Sequence, residues 1–375
     1  MISIWEKETF FAPQDVVIVG SGFVGLWSAY HIMKKHPRAR VTILDRGLIP
    51  TGASTRNAGF ACFGSLSELV ADAAAMGTDK MLSILEMRFK GLERIQKVFP
   101  KKEIDFELCG GYELYDANAN AGLLADQMAY INALIKPITR LKKTFQPDDS
   151  AIRRFGFGGT RFIVRNNLEG ALHSGKLVRA LLRLVQSMGA QVLTGIGVTG
   201  FDTVNGRIEL QLDKAIALTA SSILLCTNAF TKELAPELDI VPARGQVLLT
   251  SPVAGLPVTG TFHAEEGYYY FRNLGSRILL GGARHKAFAS EETMDMSTSE
   301  TIQAHLQAYL DEVILPGYRG MYTIDHRWSG IMAMGSEKSP IVRELSPGVY
   351  CAVRMSGMGV ALAPVVSREI ARSLL

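Results

Sequence analysis

Three glycines at a fixed spacing, Gly20-x-Gly22-x-x-Gly25, and a carboxylate at Asp45 carry the first chemical signal in this chain. Gly20 suits a tight turn, Gly22 lets a pyrophosphate approach the backbone, and Gly25 lets a helix lie close on a strand. A helix opening here, with Phe23 and Val24 in its first turn, offers N–H groups and a partial positive charge to phosphates. Asp45 stands twenty positions beyond Gly25 and is followed by Arg46. A carboxylate there accepts the two ribose hydroxyls of an adenosine and repels a 2′-phosphate. The chemistry is recognition of an adenine dinucleotide. A second set, Tyr268, Tyr270 and Arg272, places two phenols and a guanidinium at alternate positions. On a strand these share a face. That face either lines a substrate cavity, with Arg272 free for a carboxylate, or packs as ordinary sheet with Arg272 in a surface ion pair.

The elements around the glycines have the order such a site needs. Val16-Val17-Ile18-Val19 reads as a buried parallel strand, Phe23 to Met33 as an apolar helix, and Val41-Thr42-Ile43-Leu44 as a second strand. Helices are expected over 79–99, 118–135 and 172–188, with further strands at 191–194, 223–226 and 349–353. Residues 245–284 alternate like an antiparallel sheet. Ser297-Thr298-Ser299-Glu300 reads as a capping box opening a helix, and residues 141–154 as a solvated connection. The expected fold class is therefore α/β: a Rossmann-like dinucleotide domain assembled from three segments, plus an inserted α+β substrate domain with an antiparallel sheet. The expected boundaries are 1–90, 150–240 and 320–375 for the first domain, 91–149 and 241–319 for the second.

The fingerprint alone does not separate FAD from NAD. The polar loop Gly52 to Gly59 after the second strand suits a longer ligand. Gly357-Met358-Gly359, at the start of the last helix, would aim a helix N-terminus at the edge of a flavin ring.

Composition narrows the class. The 375 residues are 47% hydrophobic and 20% charged, with net charge +4 and mean hydropathy +0.14. That supports a large core and argues against extended disorder and against a nucleic-acid partner, which needs a concentrated basic stripe. Cys62, Cys109, Cys226 and Cys351 form no CxxC pair, so neither a metal site nor a disulfide framework is expected, and a reducing, cytoplasmic setting fits. The N-terminus shows no signal-peptide pattern, and the run Val16–Tyr30 is too short for a transmembrane segment. His263 and His326 read as structural histidines and His173 as a helix-cap contact.

In order along the chain, Val17-Ile18-Val19-Gly20-Ser21-Gly22-Phe23-Val24-Gly25 with Asp45-Arg46-Gly47, then Gly52 to Gly59, Glu169 to Lys176, Leu225 to Ala229, Arg244-Gly245-Gln246, Leu279 to Gly282, Trp328-Ser329-Gly330, and Gly357-Met358-Gly359 resemble the FAD-dependent D-amino-acid oxidase superfamily. The resemblance implies FAD contacts from Ala53, Ser54, Thr55, Arg56, Asn57, Ala58 and Gly59, and from Val198, Thr227 and Asn228, beside the residues already named. It implies oxidation of a C–N bond of a small-molecule amine or amino acid, with oxygen or an electron-transfer partner as final acceptor. The oligomeric state is left open. Arg56 stands where some relatives carry a flavin-linked histidine, so non-covalent FAD is expected. Met332 and Gly357 stand where relatives acting on small amino acids carry carboxylate-binding arginines. This argues against glycine-like substrates unless Arg244, Arg272 or Arg354 substitutes. An NAD-dependent dehydrogenase, or a flavin-holding assembly protein without turnover, remain the alternatives.

Overall fold

The computed structural model describes residues 2–214 and 216–374. Two large sheets organise it. The first runs in the spatial order Ile341–Ser346, Val349–Val353, Leu218–Leu225, Gln14–Val19, Val41–Asp45, Gln191–Thr194, and a hairpin of Val198–Val204 with Arg207–Leu212 pairs onto Leu218–Leu225. Its central pairs are parallel, with Ile18 opposite Leu224 on one side and Ile43 on the other. Helices cover it, so Val16, Val17 and Ile18 are fully buried, and a continuous β-branched run is what such a strand needs.

Helix Phe23–Lys35 follows the first strand directly and buries Leu26, Trp27, Ala29 and Ile32. It is tied to the last helix, Gly359–Ile370, by Ser367 Oγ donating to the Val24 carbonyl at 2.8 Å. The first glycine turn and the chain's final helix are thereby held side by side.

The second sheet contains eight strands and is antiparallel except where Thr261–Ala264 runs parallel to Gly111–Tyr115. Alternation sorts its faces. Phe262 and Phe271 stack at 4.7 Å in a separate aromatic core, which Tyr269 joins by stacking on Tyr309 at 4.1 Å. Their neighbours in sequence turn the other way, toward the first sheet.

Three details depart from the sequence reading. Strands Phe162–Asn166 and Ile324–Met334 pair into the second sheet, although they fall inside segments expected to build the first domain. Residues 141–154 are not merely a solvated connection. They hold strand Phe145–Pro147 and part of helix Ser150–Phe155, anchored by Asn132, whose Nδ2 donates to the Phe145 carbonyl at 2.8 Å. Helix Glu300–Tyr309 begins after Ser299, so the expected Ser297–Glu300 box does not form: the Ser297 hydroxyl turns to Asp295, and the Ser299 hydroxyl donates to Glu291 at 3.0 Å instead of capping the helix. Among the described residues no helix is long and apolar enough to cross a membrane.

Candidate active site

A continuous cavity of about 640 Å³ is lined from both sheets. At one end the walls are backbone. Gly20, Gly22, Phe23 and Val24 lie on it. Gly22 opens the helix and offers no side-chain cap, and Phe23 N donates to Ser54 Oγ at 2.9 Å. The glycine roles are steric facts here. Gly20 has φ +105°, and a Cβ on it would sit 2.8 Å from the Cys226 carbonyl oxygen; a Cβ on Gly25 would sit 2.0 Å from the Gly20 oxygen. Gly25 does not itself line the cavity; it sets the helix against the turn.

Asp45 closes this end. Its Oδ2 accepts from Ser21 N at 2.9 Å and from Ser21 Oγ at 2.5 Å, while Oδ1 accepts from Gly47 N at 2.9 Å. Arg46 beside it stacks over Phe230 at 4.0 Å and reaches Glu233 at 3.4 Å. Val198, Thr227 and Asn228 complete the wall.

The loop from Gly52 folds into a short helix, Ala53–Arg56. Asn57 fixes it: its Nδ2 donates to the Ala53 and Ser54 carbonyls, and its Oδ1 accepts from Gly59 N at 2.9 Å. Arg56 Nη1 donates to the Ser329 carbonyl and Trp328 Nε1 to the Arg56 carbonyl, each at 2.9 Å, stitching this loop to the second sheet. Ala53, Ser54, Arg56, Asn57, Ala58 and Gly59 all line the cavity. Thr55 does not; its hydroxyl turns back to the Pro50 carbonyl at 2.7 Å. Farther along, Gly357, Met358 and Gly359 bring the uncapped start of the last helix to the same cavity. Two helix N-termini thus converge on one elongated space, an arrangement that fits a diphosphate at one and an electron-rich ring edge at the other.

The opposite end is side chain. Tyr270 lines it, and its ring lies over Gly281, where a Cβ would come within 2.4 Å. Burial pushes its phenol up to about 12. Phe60 meets Tyr270 and His263 edge-on at 5.9 and 5.2 Å. Tyr268 also lines the cavity, but it precedes strand Tyr269–Leu274 and has helical backbone angles, so strand alternation does not place it. Arg272 shares the Tyr270 face as expected but does not reach the cavity. Its Nη1 donates to the Gly59 and Leu172 carbonyls, each at 2.9 Å. It is a structural clamp, and the expectation of a substrate-facing arginine at 272 is corrected. Arg244 and Arg354 are likewise engaged, with Glu291 at 2.8 Å and Asp239 at 2.6 Å.

Sequence reasoning missed the charges of this end. Helix Leu66–Met76 presents Glu68, Ala71, Asp72 and Ala75, one helical stripe, to the cavity. Its N-terminus is held by Glu113, which accepts from Ser67 N at 3.1 Å and Ser65 Oγ at 2.9 Å. Lys338 lies at 2.5 Å from Asp72 and 3.5 Å from Glu68; the buried Arg88 adds a 3.0 Å pair to Glu68. Burial pushes the Glu68 carboxyl up, but Arg88 and Lys338 outweigh it and bring it down to about 2. His263 is buried at the cavity wall, and its Nε2 donates to Glu169 at 2.5 Å. Burial alone would lower its pKa; the Glu169 charge and hydrogen bond dominate and raise it. Cys62 completes a buried group in which one donor atom each from Cys62, Glu169 and His263 lies within 4.8 Å of the others. Burial pushes the Cys62 thiol well up, so it is held protonated.

With this geometry in view, the family follows. Residues 15–373 match the DAO family, FAD dependent oxidoreductase, and the chain belongs to it. It is an FAD-dependent oxidoreductase. It is 25% identical over 359 residues to the probable oxidoreductase OrdL of Rhizobium meliloti, covering 93% of this chain and 80% of that protein. In fold it is similar to glycine oxidase from Geobacillus kaustophilus, with TM-score 0.77, 19% identity, and coverage of 96% of this chain and 94% of that one. L-proline dehydrogenase from P. horikoshii gives TM-score 0.77 at 16% identity, covering 96% and 92%.

Proposed function

We propose that the cavity holds FAD along its backbone-lined wall and oxidises the C–N bond of an amine or amino acid beneath the second sheet. The convergence of two helix N-termini and the Tyr270–Phe60–His263 roof on one cavity carries this reading. Gly20, Gly22, Phe23 and Val24 face the diphosphate, Gly25 holds their helix in place, and Asp45 takes the adenosine ribose, with Arg46 stacked at the rim. The 53–59 loop, with Thr55 as an internal tie, and Val198, Thr227 and Asn228 flank the dinucleotide. Gly357, Met358 and Gly359 face the flavin end. The segments of the first sheet form the FAD domain and those of the second the substrate domain. Arg56 at the position of a flavin-linked histidine, and the protonated Cys62, support a non-covalent cofactor. The four unpaired thiols support a reducing, cytoplasmic setting.

When bound, FAD supplies a two-electron acceptor for the hydride leaving the carbon next to nitrogen. The chain's own residues do the rest. Tyr270 and Phe60 form an apolar roof that excludes water and orients the amine. The substrate nitrogen must be neutral for its lone pair to form the C=N bond as hydride leaves. Glu169 and His263 hold a proton in a buried hydrogen-bonded pair at the cavity wall. The imine then takes up water and breaks down to a carbonyl compound and the released amine. Oxygen or an electron-transfer partner takes the electrons.

The test is a product balance. FAD-loaded protein turning over with secondary amines and amino acids should yield one carbonyl and one freed amine per two electrons delivered. Consumption of substrate without C–N cleavage products would contradict the reading. Acid or heat denaturation should release intact FAD into the supernatant.

A further inference from the structure

Among the described residues, five side chains able to carry positive charge line the cavity: Arg46, Arg56, His263, Arg284 and Lys338. Four are engaged by the protein. Arg46 pairs with Glu233, Arg56 donates to the Thr51 and Ser329 carbonyls, His263 to Glu169, and Lys338 to Asp72. Arg284 differs. Among the described residues its guanidinium has no carboxylate, carbonyl or hydroxyl partner; it lies over the Phe288 ring, 4.7 Å from Cζ to the ring centre. Burial disfavours its charged form, and Glu291, whose charge favours it, is already paired with Arg244, so a half-buried cation is held at the cavity wall without a counter-charge bonded to it.

The backbone places it deliberately. Arg284 follows strand Arg277–Gly282, in which Gly281 pairs with Tyr270. The chain then turns through Ala283, fully buried and at φ 59°, a left-handed conformation that costs a residue with a Cβ. Ala283 N donates to the Tyr268 carbonyl at 2.8 Å, which pins the turn. Arg284 is therefore set beside Tyr268 and Tyr270, and neither phenol has a hydrogen-bond partner among the described residues. The other arginines considered for a carboxylate, Arg244, Arg272 and Arg354, are tied to protein groups.

We propose that Arg284 is the substrate's anion anchor: the amine oxidised here carries a carboxylate, which the Arg284 guanidinium grips with the Tyr268 and Tyr270 hydroxyls alongside. This rests on the reading of the cavity as a C–N oxidising site. It moves the carboxylate contact away from positions 332 and 357, where this chain has Met332 and Gly357, to the turn after the Gly281-Gly282 pair. A planar guanidinium matches a carboxylate with two parallel N–H donors, which a lysine does not reproduce.

The probe is benzoate, with benzamide as its uncharged counterpart, titrated against FAD-loaded protein and read by the flavin difference spectrum. Benzoate should bind the wild type and benzamide much more weakly. Arg284→Met should weaken benzoate by about ten- to a hundredfold and leave benzamide unchanged. Arg284→Lys should recover part of the loss, and it serves as the reporting variant if the methionine form does not hold FAD. Equal benzoate affinity in wild type and in either variant overturns the proposal, as does failure of benzoate to bind the wild type. Anaerobic bleaching by amines, run on the same samples, separates the two levels. Bleaching that is indifferent to Arg284 and to the substrate carboxylate sinks the anchor alone. Arg284-dependent benzoate binding with no bleaching by any amine sinks the oxidation reading and leaves the anion site standing.

Discussion

The two ends of the cavity recognise by different means. The end at Gly20, Gly22 and the last helix presents peptide N–H groups and carbonyls, and its carboxylates are already engaged, Asp45 with Ser21 and Gly47 and Glu233 with Arg46. The end beneath the second sheet presents side chains: an aromatic roof, an acid pair bridged by Lys338, a His–Glu pair, and the unengaged Arg284. Backbone donors cannot be exchanged without changing the fold, so they suit a cofactor that stays the same. Side-chain charges can be moved from strand to strand while the sheet is kept, so they suit a substrate that changes from relative to relative. The absence of arginine at 332 and 357 and the free Arg284 fit that division.

The contrast can be broken at its charged end first. Glu68→Gln would leave the fully buried Arg88 without its partner, and stability should fall by about 3–5 kcal/mol, measured by urea unfolding at neutral pH. The same pair predicts a pH dependence. The Glu68 carboxyl is depressed from an ordinary 4.5 to about 2. Its stabilising contribution is therefore present above about pH 4.5 and is lost as pH falls toward 2. Unfolding midpoints in that window should decline in the wild type and decline less steeply in Glu68→Gln. An unchanged acid limb would mean that the ion pair is not what positions this helix.

The backbone end is tested by Asp45→Ala. FAD retention should weaken about ten- to a hundredfold, read by equilibrium dialysis, while the protein still folds. Retention equal to wild type would remove the ribose assignment and with it half of the contrast. Arg272→Met sharpens the distinction between a clamp and a binding arginine. It should lower stability by about 1–3 kcal/mol, because the Gly59 and Leu172 carbonyls lose their donor; thermal unfolding of the FAD-free protein reports it. Arg46→Ala should do least, about 0–1 kcal/mol, since its pair with Glu233 is half exposed on both sides.

How much was legible in the sequence follows the same division. The glycine turn could be read because its constraint is local: Gly20, Gly22 and Gly25 act through their own backbone within one strand–turn–helix unit. The 53–59 loop was legible as a segment that reaches the cavity, although Thr55 turned inward to Pro50. The roof resisted. Period-2 alternation put Arg272 on the right face, but its reach to Gly59 and Leu172 depends on a loop more than two hundred residues away. Tyr268 lies before its strand begins, so alternation did not apply to it. Arg284 was invisible because nothing local marks an arginine as unpartnered; that depends on which acids the fold gives to its competitors. Glu68 and Asp72 had a signal, a spacing of four on an amphipathic helix, but only the fold turns that stripe toward the cavity. His263 was read as structural, and its buried bond to Glu169 does hold it; what was missed is that the same ring stands on the cavity wall.

The most direct measurement is an anaerobic titration of the FAD-loaded protein with secondary amines, D- and L-amino acids and polyamines, followed by the visible absorbance of oxidised flavin. The account predicts that at least one carboxylate-bearing amine bleaches the flavin fully and that admitting the electron acceptor restores its colour. A yellow protein that keeps its colour against the entire set would contradict it.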